Sequence, residues 1–258
     1  VARKIESLFS VNCKAPVWES ALSESKGLLL LQTRDEAPHV SSFTVVDLST
    51  GKLLIRDKVF EEPWWIGISV FFNYHALLHI YDDEQNPEKK SLMVWDTQSD
   101  SLVSTFKDSS LIKSTQNGFA VRRQDEFSAY DWQCHPIDNL NDGDSNYQHT
   151  SKAIYPFHYQ KDDKDFPTIR RFVEEVLNVT PEGGADYLEY QELVLISYHI
   201  RESQELTNYL LVSDQSGEVI FHQKINTTSQ GLGRDTFFIF EQKLIFITDY
   251  KNLAVYEI

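Results

Sequence analysis

The sequence predicts an all-β fold, a five-bladed β-propeller occupying residues 1–258 as one domain. Three observations carry this expectation. Short apolar strands follow one another along most of the chain, a polar turn recurs at their ends, and the turns are spaced by about one blade. Hydrophobic residues make up 41% of the chain, enough to bury a sizeable core.

The candidate strands are runs of about 5 to 8 apolar, β-branched or aromatic residues bounded by Asp, Ser, Asn and Gly. They include GLLLLQT at 27–33, SFTVVDL at 42–48, ALLHIYD at 76–82, FSAYDWQ at 127–133 and ELVLISYHI at 192–200. YLLVSD at 209–214, FFIFEQ at 237–242 and KLIFITDY at 243–250 complete the set. At the N-terminus, KIESLFSV is a further strand with Ile5, Ser7, Phe9 and Val11 on one face.

The repeated turn places an acidic residue at the end of one strand, a short polar stretch, and then a second strand. It reads Asp47-Leu-Ser-Thr-Gly-Lys-Leu53, then Asp96-Thr-Gln-Ser-Asp-Ser-Leu102, then Asp214-Gln-Ser-Gly-Glu-Val219. Weaker copies stand at Asp131 and Glu257. A carboxylate there accepts hydrogen bonds from turn amides, and Gly or Asp tolerates a left-handed backbone.

Successive acidic positions are 49, 35, 83 and 43 residues apart, and 48 from Glu257 round to Asp47. Four intervals fit a blade of roughly 40 to 50 residues. The long one admits a sixth blade, but it also holds an acidic loop at 138–146 and TIRRFVEEVLN at 168–178. There Ile169, Phe172, Val173, Val176 and Leu177 form one helical stripe, and Pro167 suits the first turn. With that helix inserted, AIYPFHY and the run 187–214 supply one blade, so five is the expectation and six the alternative. The last unit has three strands, and the N-terminal strand supplies the fourth, closing the last blade.

The Asp47 to Leu53 turn and its cousins at Asp96 and Asp214 resemble the turn between outer strands in quinoprotein-like and WD-type β-propeller blades. The Gly-His pair of WD repeats and the tryptophan docking motif of quinoproteins are absent. The chain as a whole resembles an uncharacterised bacterial family of short propeller-like proteins, a resemblance that implies no assigned activity.

Charge narrows the partners. Against 24 Lys and Arg stand 39 Asp and Glu, a net charge of −15, which repels phosphate backbones and argues against nucleic acid. No apolar run approaches the roughly 18 to 20 residues needed to cross a bilayer, so no membrane partner is expected. The first residues lack a signal-peptide pattern, and the two cysteines, Cys13 and Cys134, have no C-x-x-C spacing. A cytoplasmic location follows, with a removed signal peptide as the alternative.

Candidate site residues come from aligning the second strand of each unit. That places Arg34, Asp82, Arg123, His199, Arg201 and Asp249 at comparable ends, a mixed-charge rim whose arginines suit carboxylate or phosphate groups. Trp64 and Trp65, if adjacent on a strand, point to opposite faces, one into the core and one toward a ligand. The same residues also fit the plain alternatives, solvated strand ends and inter-blade packing. Glu19, Glu189 and Asp235 are the carboxylates a glycosidase would draw on, though nothing pairs them.

No cofactor or metal is expected. The loop at 141–146 fails the EF-hand template, since counting from Asp142 puts Tyr147 at position 6 and Ala153 at position 12. His75 and His79, four apart on a strand, sit roughly 13 Å apart on one face, too far to share an ion. Nucleotide and nucleophile motifs are absent, and GLGRD at 231–235 precedes a strand, not a helix. The expectation is a monomeric, non-catalytic binding or protein-interaction module, its partner a protein or a small polar ligand. The alternative is a hydrolase of glycosides or lactones using acidic residues.

Overall fold

The computed structural model describes residues 4–62, 64–83, 86, 89–138, 140, 152–228 and 236–258. Contacts divide the chain into two compact units, Lys14–Ser151, and Val1–Cys13 with Lys152–Ile258. The described strands form five antiparallel sheets, and the fold is all-β, of the propeller class expected from the sequence.

β1 (Glu6–Asn12) belongs to the second unit. The unit Lys14–Ser151 holds three four-stranded meanders. The first is β2 (Val17–Ser23), β3 (Leu28–Asp35), β4 (Val40–Asp47) and β5 (Leu53–Lys58). The second is β6 (Ile66–Phe72), β7 (His75–Tyr81), β8 (Lys90–Asp96) and β9 (Ser101–Phe106). The third is β10 (Ser110–Thr115), β11 (Gly118–Arg123), β12 (Glu126–Tyr130) and β13 (Pro136–Ile137).

The continuous apolar runs of the sequence have a plain cause: the inner strands are buried on both faces. On β7, Ala76 and Leu78 pack with Leu28, Leu30, Phe43 and Trp95, while Leu77 between them packs with Leu92, Val94, Phe119 and Val121. Trp95 is fully buried, and its indole N–H donates to Asp100 Oδ1 at 3.1 Å.

The repeated turns behave as their chemistry demands. Asp47 Oδ1 accepts from the Ser49 and Thr50 amides, Asp96 Oδ1 from Gln98, Asp131 Oδ1 from Gln133 and His135, and Asp214 Oδ1 from Ser216 and Glu218. Gly51, Asp100 and Gly217 supply the left-handed residues, with φ of 71°, 52° and 88°.

The other unit contains β14 (Ala153–Ile154), β15 (Phe157–Tyr159), α1 (Phe166–Leu177), β16 (Ala185–Tyr190), β17 (Leu193–Glu202), β18 (Glu205–Asp214) and β19 (Val219–Thr228). It ends with β20 (Phe237–Phe240), β21 (Lys243–Thr248) and β22 (Asn252–Glu257). β15 to β19 form one sheet; the other runs β1-β22-β21-β20-β14. The N-terminal strand therefore closes the last blade as expected, with Val11 opposite Leu253 and Ser7 opposite Tyr256.

Three local expectations are corrected. A bulge between Ser7 and Phe9 breaks the alternation of β1, so Ser7 is exposed while Val11 is buried, and the two do not share a face. AIYPFHY is two strands: Ala153 and Ile154 pair with β20, and Phe157 to Tyr159 with β16. Pro156 lies between them and has no N–H to continue a ladder. Trp64 and Trp65 lie in the turn before β6, not on a strand.

The helix is placed as the stripe predicts, and its task is now visible. On β17, Leu193 and Leu195 pack with Leu244 and Phe246 of the neighbouring sheet, whereas Val194, Ile196 and Tyr198 pack under Phe166, Ile169 and Val173 of α1. The helix covers the second face of that sheet. Each of these helix side chains contributes about 1.5 to 3 kcal/mol by burial. The left-handed Asn178, φ 56°, ends it, its N–H donating to Glu174 O.

Candidate functional site

A cleft of about 410 Å³ opens in the unit Lys14–Ser151, between the edge of the first meander and the second. Its first wall comes from β2 and β3. Arg34, next to the last residue of β3, extends its guanidinium over the Trp18 ring at 4.3 Å and the Trp64 ring at 5.4 Å. Trp64 is itself stacked on His39, with centroids 4.1 Å apart and planes 12° from parallel. A weakly hydrated planar cation suits contact with aromatic faces.

The guanidinium makes one long hydrogen bond, from Nη2 to Ile66 O at 3.5 Å, and no ion pair among the described residues. Its Nε is buried without a partner. Burial lowers the Arg34 pKa, opposed by the nearby Glu19 and Tyr81. Below it on the same face of β3, the fully buried Gln32 donates to the same Ile66 carbonyl at 2.7 Å.

The second wall comes from β6 and β7. Glu62 holds the turn by accepting the amides of Trp64 and Trp65 at 3.0 and 2.9 Å, which aims Trp65 into the cleft. Gly67 lies opposite His79 in the ladder, and a Cβ there would come within 2.6 Å of the imidazole. Glycine thus lets the His79 ring lie across the backbone. His79 Nδ1 is hydrogen-bonded with Ser69 Oγ at 3.0 Å, and its ring meets Tyr81 edge to face. Burial, then the charges of Lys90 and Arg34, push its pKa down to about 4, so the ring is neutral at pH 7. Glu19 and Asp83 add carboxylates, and Glu19 Oε2 accepts the Ile68 amide at 2.9 Å.

The structure brings Arg34, Trp64 and Trp65 together. Of the expected core-and-ligand pair, neither tryptophan is core: both are half-buried, one stacked on His39 and one lining the cleft. Asp82 is exposed and accepts from Ser91 Oγ at 2.7 Å. Arg123 is exposed at the end of β11, opposite Glu126.

In the other unit, Arg201 donates to Glu182 at 3.0 Å, and Asp249 turns the chain after β21 with φ 51°. His199 is buried, 4% exposed, not at a solvated strand end; Asn208 lies 2.9 Å from its Nε2. Burial lowers its pKa, opposed by a backbone contact to Gly184 and by Asp186. Beside it, Asp186 is 2% exposed, with His158 Nδ1 at 2.7 Å on one oxygen and the Thr236 amide and hydroxyl on the other.

Trp18, Gly67, His79 and Asp83 were absent from the sequence-derived rim. The stretch Val17-Trp-Glu-Ser-Ala21 alternates in burial but not in residue type, so the sequence carried no period-2 signal for β2 or for Trp18. Of the three named carboxylates, Glu19 lines the cleft, Glu189 accepts from Tyr187 in the other unit, and Asp235 lies outside the described residues. The 141–146 and 231–235 segments also lie outside them. Among the described residues no group of three or more His, Cys, Asp or Glu could hold a metal, and no helix is long and apolar enough to cross a membrane.

The fold defines the chain as one of the β-propeller class. A family profile described as a domain of unknown function (DUF4905) matches residues 22–103, a stretch that carries Arg34, Trp65, Gly67 and His79 but not Trp18. No curated protein matches the chain. Among solved structures it is similar to BamB from Moraxella catarrhalis, at 7% identity over 98% of this chain and 100% of that one, TM-score 0.26. It is similar also to the β-propeller domain of the Trilobed protease from Pyrococcus furiosus, at 14% identity over 94% and 81%, TM-score 0.34. A third is the Dos1 propeller, at 13% identity over 96% and 64%, TM-score 0.36.

Proposed function

We propose that the protein is a binding module whose cleft at β2, β3, β6 and β7 takes a small polar ligand carrying an anionic group and a ring. One observation carries this reading. Arg34 packs against two tryptophan rings on the wall of a cleft, without an ion-pair partner among the described residues. A guanidinium so placed offers a carboxylate or phosphate a paired hydrogen bond with little left to order. The remaining face of Trp18, which is 65% exposed, and the ring of Trp65 offer a platform for a flat ligand. Neutral His79 and Tyr81 add polar groups that do not repel an anion.

Tryptophan fluorescence reads this directly, because Trp95 and Trp132 are buried while Trp18, Trp64 and Trp65 surround the site. Titration with mannuronate or ribose 5-phosphate should give a saturable change. Arg34→Met should weaken it by roughly 10- to 100-fold, the worth of a hydrogen bond to a charged group. Arg34→Lys should not restore it, since an ammonium neither stacks on rings nor forks onto two oxygens. Equal affinity in wild type and Arg34→Met would remove the reading.

A further inference from the structure

A second cleft, of about 500 Å³, lies in the same unit between the second and third meanders. Lys89, Lys90 and Arg122 line it, none of them ion-paired among the described residues. That is a local excess of positive charge in a chain of net charge −15. Lys90 lines the second cleft and borders the first. It stands opposite Tyr81 in the ladder, and its ammonium lies 4.8 Å from the Tyr81 ring on the wall of the first. Its carbonyl accepts the Ser109 amide at 2.7 Å, which draws the start of β10 against it and forms the second.

We infer that the two clefts form one extended site for an acidic oligosaccharide, with a carboxylate on successive rings. This deepens the proposed function and rests on it. Arg34 lines the first cleft, Lys90 stands against the Tyr81 ring of that cleft, and Lys89 and Arg122 line the second with Lys90, so a ligand with a single charge leaves the second cleft's cations unused. Carboxylates stand among them: Glu19 and Asp83 in the first cleft, Asp108 and Asp125 in the second. Densely phosphorylated chains are repelled by such neighbours, whereas sugar hydroxyls donate to them. The aromatic faces of Trp18, Trp65 and Tyr81 are confined to the first cleft and suit the C–H face of one terminal ring.

The test is calorimetric titration of the full chain with mannuronate, tetramannuronate and uncharged mannotetraose. Tetramannuronate should bind on the order of tenfold or more tighter than mannuronate, because its second carboxylate is delivered at high effective concentration. Lys89→Gln with Arg122→Gln, both exposed positions, should collapse that ratio toward one, and raising salt should do the same. Mannotetraose should not bind.

A tetramer no tighter than the monomer, or a ratio untouched by the double variant, overturns the extended site. If Arg34→Met still removes mannuronate binding in that case, the first cleft stands alone. Saturable, Arg34-dependent binding of ribose 5-phosphate with no binding of either uronate overturns the sugar-acid class. Silence toward every probe overturns the proposed function along with this extension.

Discussion

Two charged groups, one in each compact unit, show what separates scaffolding from a site. Asp186 is 2% exposed, and both its oxygens are filled, one by His158 Nδ1, the other by the amide and hydroxyl of Thr236. Arg34 packs instead against aromatic faces, and its guanidinium makes one hydrogen bond of 3.5 Å. Both are costly to desolvate. The carboxylate recovers that cost inside the protein. The guanidinium recovers only part of it, so a ligand has something to add.

The largest expected effect breaks or upholds this contrast. Asp186→Ala strands His158 and the Thr236 amide and should destabilise the protein by about 3 to 5 kcal/mol, as removal of one member of a buried pair does. Arg34→Met keeps most of the stacked area and should change stability by less than about 1 kcal/mol. Urea midpoints at constant slope measure both. If Arg34→Met proves the more damaging, Arg34 is scaffolding and the cleft loses its anchor.

These two groups also mark how far the sequence could be read. The strands, the helix and the closing strand were legible because periodicity and turn chemistry are local. Arg34 was legible as a polar residue at a strand end. Its partners were not, because Trp18, Trp64 and Gly67 meet it or its cleft across strands that no spacing rule links. His199 was misread for a related reason. It stands within the long strand β17, whose sheet partner β18 carries Asn208 to cover it, so its distance from the strand end mattered more than its polarity. The bulge in β1 and the break at Pro156 were hidden because one extra residue or one missing N–H reassigns pairing without changing composition.

Acid titration sharpens the comparison at the next level. His79 in the cleft has a folded pKa of about 4, below the 6.5 of an unfolded histidine. The unfolded chain therefore binds more protons between those values. The contribution of neutral His79 to stability is complete above about pH 6.5 and is lost as pH falls toward 4. Burial lowers His75, His199 and His222 too, so the wild-type curve alone does not isolate it. The difference between wild type and His79→Gln does. That difference should shrink from pH 7 to pH 4, read as urea midpoints at each pH. A pH-independent difference would mean that His79 acts by shape alone.

The smallest effect concerns a carboxylate intermediate between the two extremes. Asp96 is partly exposed, yet it accepts from the Gln98 amide and the Ser99 hydroxyl. Partial burial raises its pKa, but these bonds and the nearby His75 outweigh that and hold it below the ordinary 3.8. Its contribution is thus present above the unfolded value and fades as pH drops below it. Solvent screens a group this open, so Asp96→Ala should cost only about 1 kcal/mol at pH 7. The cost should diminish as pH falls below 3.8, where the carboxyl protonates first in the unfolded chain and at lower pH in the folded one. Asp96→Asn, which keeps an acceptor for the Gln98 amide, should recover most of it at pH 7. If filled lone pairs are what mark a charge as structural, Asp96→Ala must lower stability without touching ligand affinity. An Asp96 variant that weakened mannuronate binding would dissolve the distinction drawn between Asp186 and Arg34.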